Sequence, residues 1–179
     1  MNTPSIYKSP EGEKAIMDIY EKVLSQWPVP HEELTIDTRF GKTFVIASKG
    51  EKKPPLVLLH GSGANSATWF ADVAAYSRKY RVYCVDIPGD PGKSAPERFD
   101  WHGPAFSQWL DEVLTGLKIK RTVLGGISLG GWASLKYAID KPGKVEKLVL
   151  ICPGGVVSPR PSFILRMVFW SLLGEWGKT

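Results

Sequence analysis

The stretch that decides the fold is Gly125-Gly126-Ile127-Ser128-Leu129-Gly130-Gly131, which directly follows the apolar run Thr122-Val123-Leu124. The pattern Gly126-x-Ser128-x-Gly130 after an apolar run predicts a sharp turn from a strand into a helix. The two glycines that flank the serine remove side chains that would clash in so tight a bend. Ser128 would stand exposed at the tip of this turn, and it is therefore a candidate nucleophile.

Apolar runs of strand length alternate with helical patterns on both sides of this turn. Strands are predicted at 34–40, 43–48, 56–59, 81–86, 121–127 and 145–152, and helices at 12–27, 66–79, 104–117, 129–140 and 162–173. Such an alternation predicts an α/β fold with a mainly parallel sheet. The first two strands flank Gly41-Lys42, a hairpin signal that would add an antiparallel pair at one edge. The first helix is predicted from helical spacing of its apolar residues, which Pro28 and Pro30 bring to an end: Ala15, Ile16, Ile19, Val23 and Leu24.

Three loops come directly after the carboxyl ends of three predicted strands. They are His60-Gly61-Ser62-Gly63-Ala64-Asn65, then Asp86-Ile87-Pro88-Gly89-Asp90-Pro91-Gly92-Lys93-Ser94, and the turn at Ser128. In an open parallel sheet, ligands bind at the carboxyl ends of the strands. We therefore expect the three loops to meet and to form a ligand site.

Together these loops resemble those of the α/β-hydrolase family, in its serine esterase-like branch. His-Gly-x-Gly after the third strand, Asp-x-Pro-Gly-x-x-Gly-x-Ser after the fourth and Gly-x-Ser-x-Gly, the nucleophile elbow, after the fifth occur in that family in this order. Trp69 looks like the aromatic residue that often follows the first loop. The resemblance runs from about Leu34 to Gly155. It implies the α/β-hydrolase fold, with an antiparallel N-terminal hairpin and with the C-terminal part incomplete.

The resemblance also implies roles for individual residues. Ser128 would attack a carbonyl carbon, and the backbone N–H groups of Ser62 and Leu129 would form the oxyanion hole. The supporting residues of the two loops would be His60, Gly61, Gly126 and Gly130. A serine at the elbow favours an ester or similar acyl substrate over the epoxides and haloalkanes that carboxylate nucleophiles attack. The substrate implied is a small molecule with an apolar acyl or aromatic group, and no cofactor or metal is implied.

The general base that a serine nucleophile needs has no candidate after Ser128. The order in this fold is Ser, then Asp or Glu, then His, whereas all three histidines precede the serine: His31, His60 and His102. The carboxylates that follow it lie at positions without an obvious catalytic role: Asp140, Glu146 and Glu175. The chain therefore resembles the N-terminal part of a hydrolase whose acid and histidine lie outside this sequence. By itself it is expected to be inactive or nearly so.

The same resemblance predicts how the chain is organised. Residues 1–30 would be an N-terminal helical extension, residues 31–155 the first part of the hydrolase core, and residues 156–179 the start of a cap region. The strand at 145–152 would be left as an exposed apolar edge, and the apolar segment from Phe163 onward would lack a full partner surface. We therefore expect association with a missing C-terminal half or self-association.

Four other interpretations compete with this one. In a glycine-rich turn, Ser128 could merely cap the following helix. Gly92-Lys93-Ser94 matches the end of a phosphate-binding P-loop, but Ile87 stands where its first glycine is required. Gly61-x-Gly63 resembles the start of a dinucleotide-binding fingerprint, but Ser66 stands where its third small residue belongs. Asp86, which ends the next strand, is better interpreted as a structural residue that binds backbone N–H groups of its own turn. A non-catalytic hydrolase-fold protein that binds a ligand or partner also remains open.

Composition and charge narrow the classes of protein to which the chain can belong. The chain has 179 residues, 43% hydrophobic and 23% charged, which suits one globular domain. Its formal net charge is +5, but the basic residues are scattered apart from Lys118-Ile119-Lys120-Arg121, so nucleic-acid binding is not expected. The apolar run at 163–173 is too short to span a bilayer, and the N-terminus has no signal core. Cys84 and Cys152 lie in apolar runs and are predicted to be buried thiols, which favours the cytoplasm.

Overall fold

The computed structural model describes residues 6–98, 100, 103–156 and 161–172. In chain order its elements are α1 (Pro10–Ser25), β1 (His31–Thr38), β2 (Gly41–Ser48), β3 (Pro55–Leu59), a 3₁₀ helix (Ser66–Trp69), α2 (Val73–Tyr76), β4 (Arg81–Val85), α3 (Ala105–Gly116), β5 (Thr122–Ile127), α4 (Leu129–Asp140), a 3₁₀ turn (Pro142–Lys144), β6 (Val145–Ile151) and α5 (Pro161–Leu172). The predicted alternation of strands and helices is confirmed.

The strands form one sheet in the order β1-β2-β4-β3-β5-β6. Strand β3 pairs in parallel with β4 and β5, and β6 pairs in parallel with the other side of β5. Strands β1 and β2 form an antiparallel hairpin, and β2 joins it to β4 in antiparallel pairing. The predicted mainly parallel sheet with an antiparallel N-terminal hairpin is confirmed. This order brings the carboxyl ends of β3, β4 and β5 to one edge of the sheet.

Helices cover both faces of the sheet, which explains why β3 and β4 are apolar along their whole length. On one face, α3 and α4 pack against β3, with Trp109, Val113 and Tyr137 fully buried in the same cluster as Val57 and Leu59. On the other face, α1 and the 3₁₀ helix form a second cluster with the sheet. The site loops therefore rest on a sheet that is held from both sides.

Helix α1 begins at Pro10, two residues before the predicted start at residue 12. The Ser9 hydroxyl accepts a hydrogen bond from the backbone N–H of Gly12 at 3.1 Å, and Pro10 occupies the first turn. The helix buries Tyr20 and Leu24 against the sheet. Of the apolar residues that predicted this helix, Ile19 is 66% exposed.

Two other local expectations are corrected. The hairpin turn lies at Arg39 and Phe40 rather than at Gly41-Lys42, because Thr38 pairs with Gly41 and its hydroxyl donates to the Gly41 carbonyl at 2.7 Å. The single helix expected at 66–79 is divided into a 3₁₀ helix and α2. The N–H of Asp72 bonds to the carbonyl of Trp69, three residues back, so the chain turns too tightly there for a continuous α-helix.

Strand β6 is the edge strand of the parallel part of the sheet. Val149 and Ile151 on it are 49% and 38% exposed, which matches the apolar edge expected from the sequence. In α5, the side chains of Leu165, Val168, Phe169, Trp170 and Leu172 are at least half exposed. Apolar surface is thus concentrated at the C-terminal side of the described chain. Among the described helices, none has the length and apolar character needed to cross a bilayer.

Candidate functional site

Ser128 connects β5 to α4 and has an unusual backbone conformation. Its φ and ψ are 51° and −109°, although residues other than glycine rarely adopt a positive φ. Its N–H donates to the carbonyl of Ile151, and its own carbonyl accepts from the N–H groups of Trp132 and Gly154, each at 3.0 Å. These hydrogen bonds involve only backbone atoms, and the Ser128 side chain is exposed. A non-glycine residue held at positive φ in this way is typical of functional sites.

The flanking glycines are required by close approaches of the backbone. A β-carbon at Gly126 would lie 2.2 Å from the carbonyl carbon of Gly130, and one at Gly130 would lie 2.3 Å from the carbonyl oxygen of Leu59. Both distances are shorter than any non-bonded contact of a real side chain. The expectation that these glycines permit the tight turn therefore has a geometric cause.

The loop after β3 lies against this turn. A β-carbon at Gly61 would lie 3.6 Å from the β-carbon of Ser128, so the first and third loops are in contact distance. Ser62 and Gly63 follow in this loop with their side-chain positions exposed, and Gly63 has a φ of +72°. Leu129 is the first residue of α4, where a backbone N–H has no partner within the helix and the helix dipole is positive. The exposed Ser128 side chain thus lies at the start of α4 and beside the loop of Gly61.

His60 anchors the start of the first loop. It is fully buried, its Nε2 accepts from the backbone N–H of Ile87 at 2.8 Å, and its Nδ1 bonds to the Gly61 carbonyl at 2.8 Å. Since a backbone N–H can only donate, Nε2 is the unprotonated nitrogen and Nδ1 carries the proton. The ring therefore links the first loop to the second, and its role in supporting an oxyanion hole stays a prediction.

Asp86 anchors the end of the same loop. Its Oδ1 accepts from the backbone N–H of Ser66 at 2.8 Å, and its Oδ2 accepts from that of Lys93 at 2.9 Å. The bond from Lys93 confirms the interpretation of Asp86 as a structural residue of its own turn. The Tyr20 hydroxyl also donates to this carboxylate, at 3.0 and 3.2 Å from its two oxygens. Burial and then the charge of Asp86 raise the pKa of Tyr20, so the hydroxyl keeps its proton.

Tyr20 is the residue of this region that sequence reasoning missed. It lies in a helix far from the three loops along the chain, and its partner could not be known without the fold. A signal was available, because Tyr20 and Leu24 are one helical turn apart, and a tyrosine on a buried face needs a partner for its hydroxyl.

No general base can be identified beside Ser128 among the described residues. His31 begins β1, which three strands separate from β5, and its Nδ1 bonds to the Val29 carbonyl at 3.1 Å. Both ring nitrogens of His60 are already bonded. His102 and Glu175 lie outside the described residues.

The described carboxylates downstream of Ser128 are also occupied or remote. Asp140 accepts hydrogen bonds from Ser107 and Lys136, and these lower its pKa. Glu146 is exposed on β6. Within the described part of the chain, no cluster of three His, Cys, Asp or Glu side chains could hold a metal ion.

The two cysteines differ, which corrects one expectation. Cys84 is buried in β4, and burial raises the pKa of its thiol. Cys152, expected to be buried, is exposed. It follows the last residue of β6 with a φ of 44°, at the uncovered edge of the sheet where no further strand shields it in the described residues.

Comparison with known proteins extends these observations. Residues 56–178 match the model of a family described as the alpha/beta hydrolase family. In Bacillus subtilis, the uncharacterized carboxylesterase nap is 40% identical over 140 residues, which are 78% of this chain and 47% of that protein. Carboxylesterase YbfK from the same organism is 40% identical over 134 residues, 75% of this chain and 45% of that protein. The chain thus spans about half the length of the curated relatives it matches.

Solved structures of carboxylesterases are similar to this chain over about half of their own length. The crystal structure of naproxen esterase (carboxylesterase NP) from Bacillus subtilis superposes with a TM-score of 0.81 at 36% identity, covering 93% of this chain and 57% of that one. The crystal structure of carboxylesterase CesB (YbfK) from Bacillus subtilis superposes with a TM-score of 0.80 at 35% identity. The superposition covers 89% of this chain and 56% of that one.

Proposed function

The chain belongs to the alpha/beta hydrolase family, and on that premise we propose that it is the nucleophile-bearing part of a serine carboxylesterase. The observation that carries this proposal is the exposed Ser128, at a φ of 51°, with the loop of Gly61 directly beside it. Relatives named as carboxylesterases support an ester as the substrate class.

In the proposed reaction, Ser128 Oγ attacks the carbonyl carbon of an ester while a general base takes its proton. The N–H groups of Ser62 and Leu129 stabilise the oxyanion of the tetrahedral intermediate. The intermediate collapses, the alcohol leaves with the proton, and an acyl group remains on Ser128. Water then attacks the acyl-enzyme with the help of the same base, which releases the carboxylic acid.

We further propose that the acid and the histidine base come from sequence C-terminal to residue 179. Three facts support this. The curated relatives are about twice as long as the matched region, no histidine follows Ser128 in the sequence, and β6 has no further strand beside it among the described residues. Beside β6, an apolar groove of about 190 Å³ is lined by Trp69, Tyr76, Val149 and Ile151, among others. The proposed C-terminal half covers this groove and extends the sheet.

The proposal is tested with a fluorophosphonate probe and a nitrophenyl ester, on residues 1–179 alone and on a form that includes the C-terminal half. Residues 1–179 alone should be labelled slowly and show little turnover, because the base is absent. The longer form should hydrolyse the ester, and Ser128→Ala should abolish both labelling and turnover.

Ser62→Ala is the matched control for that substitution. It also removes an exposed serine hydroxyl, but it keeps the backbone N–H that the oxyanion needs, so activity should stay within about threefold of the parent. Retention of turnover in Ser128→Ala, or rapid turnover by residues 1–179 alone, would contradict the proposal.

A second candidate is a non-catalytic hydrolase-fold protein that binds a ligand or partner. It is favoured by the absence of a usable base beside Ser128 in the described residues. The probe distinguishes the two functions, since a binding protein is labelled no faster with the C-terminal half than without it. The cytoplasmic location expected from cysteine usage stays a prediction.

Association is the proposed behaviour of residues 1–179 in isolation, through the apolar edge at β6. Light scattering of this chain should give a mass above that of the monomer, and Val149→Lys should lower it, because a charge on the exposed edge opposes pairing. A stable monomer at high concentration would contradict this part of the proposal.

A further inference from the structure

We propose that helix α1 is a positioning element for the oxyanion hole, acting through the hydrogen bond from Tyr20 to Asp86. The inference rests on the proposed function, because it concerns the loop that would bind the oxyanion. It adds a role for a helix that lies outside residues 56–178, the part that matches the family model.

Two adjacent residues at the end of β4 hold both ends of the first loop. The N–H of Ile87 donates to the His60 ring at the start of the loop, and the carboxylate of Asp86 accepts from the N–H of Ser66 at its end. Between them, the N–H of Gly63 donates to Asp90 at 3.2 Å. The position of the Ser62 N–H, in the middle of this loop, therefore depends on where the carboxylate of Asp86 is held.

Tyr20 reaches that carboxylate from α1. Tyr20 and Asp86 are 2% and 1% exposed, so the bond between them is shielded from water. Its hydroxyl lies 3.0 Å from Oδ1, the same oxygen that accepts from Ser66. A buried carboxylate that loses a donor is left partly unsatisfied, which costs free energy and favours a shift toward the donors that remain. Tyr20 thus fixes the oxygen that orders the first loop.

A second contact holds α1 against the same turn. Lys93, whose backbone N–H binds Asp86, directs its ammonium group to Glu21 on α1 at 2.8 Å and to Glu33 on β1 at 3.0 Å. The ammonium also lies 4.8 Å from the centre of the Phe44 ring. Helix α1 is therefore fastened to the Asp86 turn at two neighbouring points.

The first test measures amide hydrogen exchange in residues 1–179 and in two variants of it, Tyr20→Phe and Tyr137→Phe. The control is closely matched: Tyr137 is also buried, and its hydroxyl donates to Asp111 at 2.9 Å, but on the other face of the sheet. Both substitutions remove one hydroxyl from one carboxylate. Tyr20→Phe should speed exchange of the Gly63 and Ser66 amides at least about fivefold, and Tyr137→Phe should leave them unchanged.

The second test measures kinetics in the form that shows Ser128-dependent ester hydrolysis. Tyr20→Phe should lower kcat about tenfold and leave KM within about twofold, because a displaced donor affects the transition state more than substrate binding. Tyr137→Phe should lower neither. A smaller amount of folded enzyme would also lower the apparent kcat without changing KM, so kcat is calculated per Ser128 site titrated with the fluorophosphonate probe. A purely structural role for Tyr20 would leave that kcat unchanged.

Two outcomes would overturn the inference: exchange in the first loop that is equal in both variants, or a kcat unaffected by Tyr20→Phe in an active form. If no form shows Ser128-dependent hydrolysis, it is the proposed function that fails. The exchange comparison still decides whether α1 positions the loop, so the two failures are distinguishable.

Discussion

Asp111 on α3 accepts a hydrogen bond from the hydroxyl of Tyr137 on α4 at 2.9 Å, and this pair joins the two helices that cover one face of the sheet. Lys144, just before β6, also donates to Asp111. Burial alone would raise the pKa of Asp111, but the hydrogen bonds from Lys144 and Tyr137 outweigh it, and the pKa is lowered.

Stability should consequently fall in acid, and Asp111→Asn should reduce that fall. A carboxyl whose folded pKa lies below its unfolded value, about 3.9, stabilises the fold above that pH, and the contribution is lost as the pH drops below it. Urea denaturation at pH 6, 4 and 3 gives the free energy of unfolding at each pH. This free energy should fall less with decreasing pH for Asp111→Asn than for the parent. Glu146→Gln, at an exposed position on β6, should keep the parent's pH dependence; equal slopes for all three proteins would refute the assignment.

Replacing Gly126 by alanine should severely destabilise the chain. The new β-carbon would lie 2.2 Å from both the carbon and the oxygen of the Gly130 carbonyl group. These are backbone atoms of the turn and cannot rotate away as a side chain could. We expect a loss of about 3 kcal/mol or more in the free energy of unfolding, measured by urea denaturation. Gly143→Ala is the control, since nothing lies within 4 Å of its β-carbon position. A loss of similar size in both variants would show that the close approach at the elbow is not the cause.

His60 should be replaceable by glutamine at lower cost than by leucine. Leucine fills similar space but leaves the buried N–H of Ile87 without an acceptor, which costs about 1–3 kcal/mol. The Oε1 of glutamine can take the place of Nε2 as that acceptor. Urea denaturation of His60→Leu and His60→Gln should therefore differ by at least about 1 kcal/mol. If leucine is tolerated as well as glutamine, the bond to Ile87 does not stabilise the loop.

The two thiols should react at very different rates. In native residues 1–179, an aromatic disulfide reagent should modify Cys152 within minutes and leave Cys84 unmodified, because Cys84 is buried and its thiol resists ionisation. Both should react in urea. Cys152→Ser should remove the fast reaction, and a fast reaction that persists in this variant would place Cys84 at the surface.

Local sequence patterns were sufficient for the strand and helix order and for the close approach of the Gly61 and Ser128 loops. They failed where a contact between distant segments decides the geometry. Gly41 has a φ of +96°, and a β-carbon there would lie 2.5 Å from that of Ala95, so a loop 54 residues away helps to set the hairpin turn. Tyr20 and Asp86 are 66 residues apart in the same way. The exposure of Cys152 depends on which strand lies beside β6, which the apolar pattern of the run does not reveal.

The sheet order has a consequence for biosynthesis. Strand β6 pairs with β5, and β5 pairs with β3, so each of these strands meets a neighbour that left the ribosome before it. If sequence follows residue 179, as proposed, the whole described sheet can therefore assemble while the ribosome is still translating that sequence. Under the same proposal, β6 is the template on which a later strand is added, and the turn at Ser128 is formed before that addition.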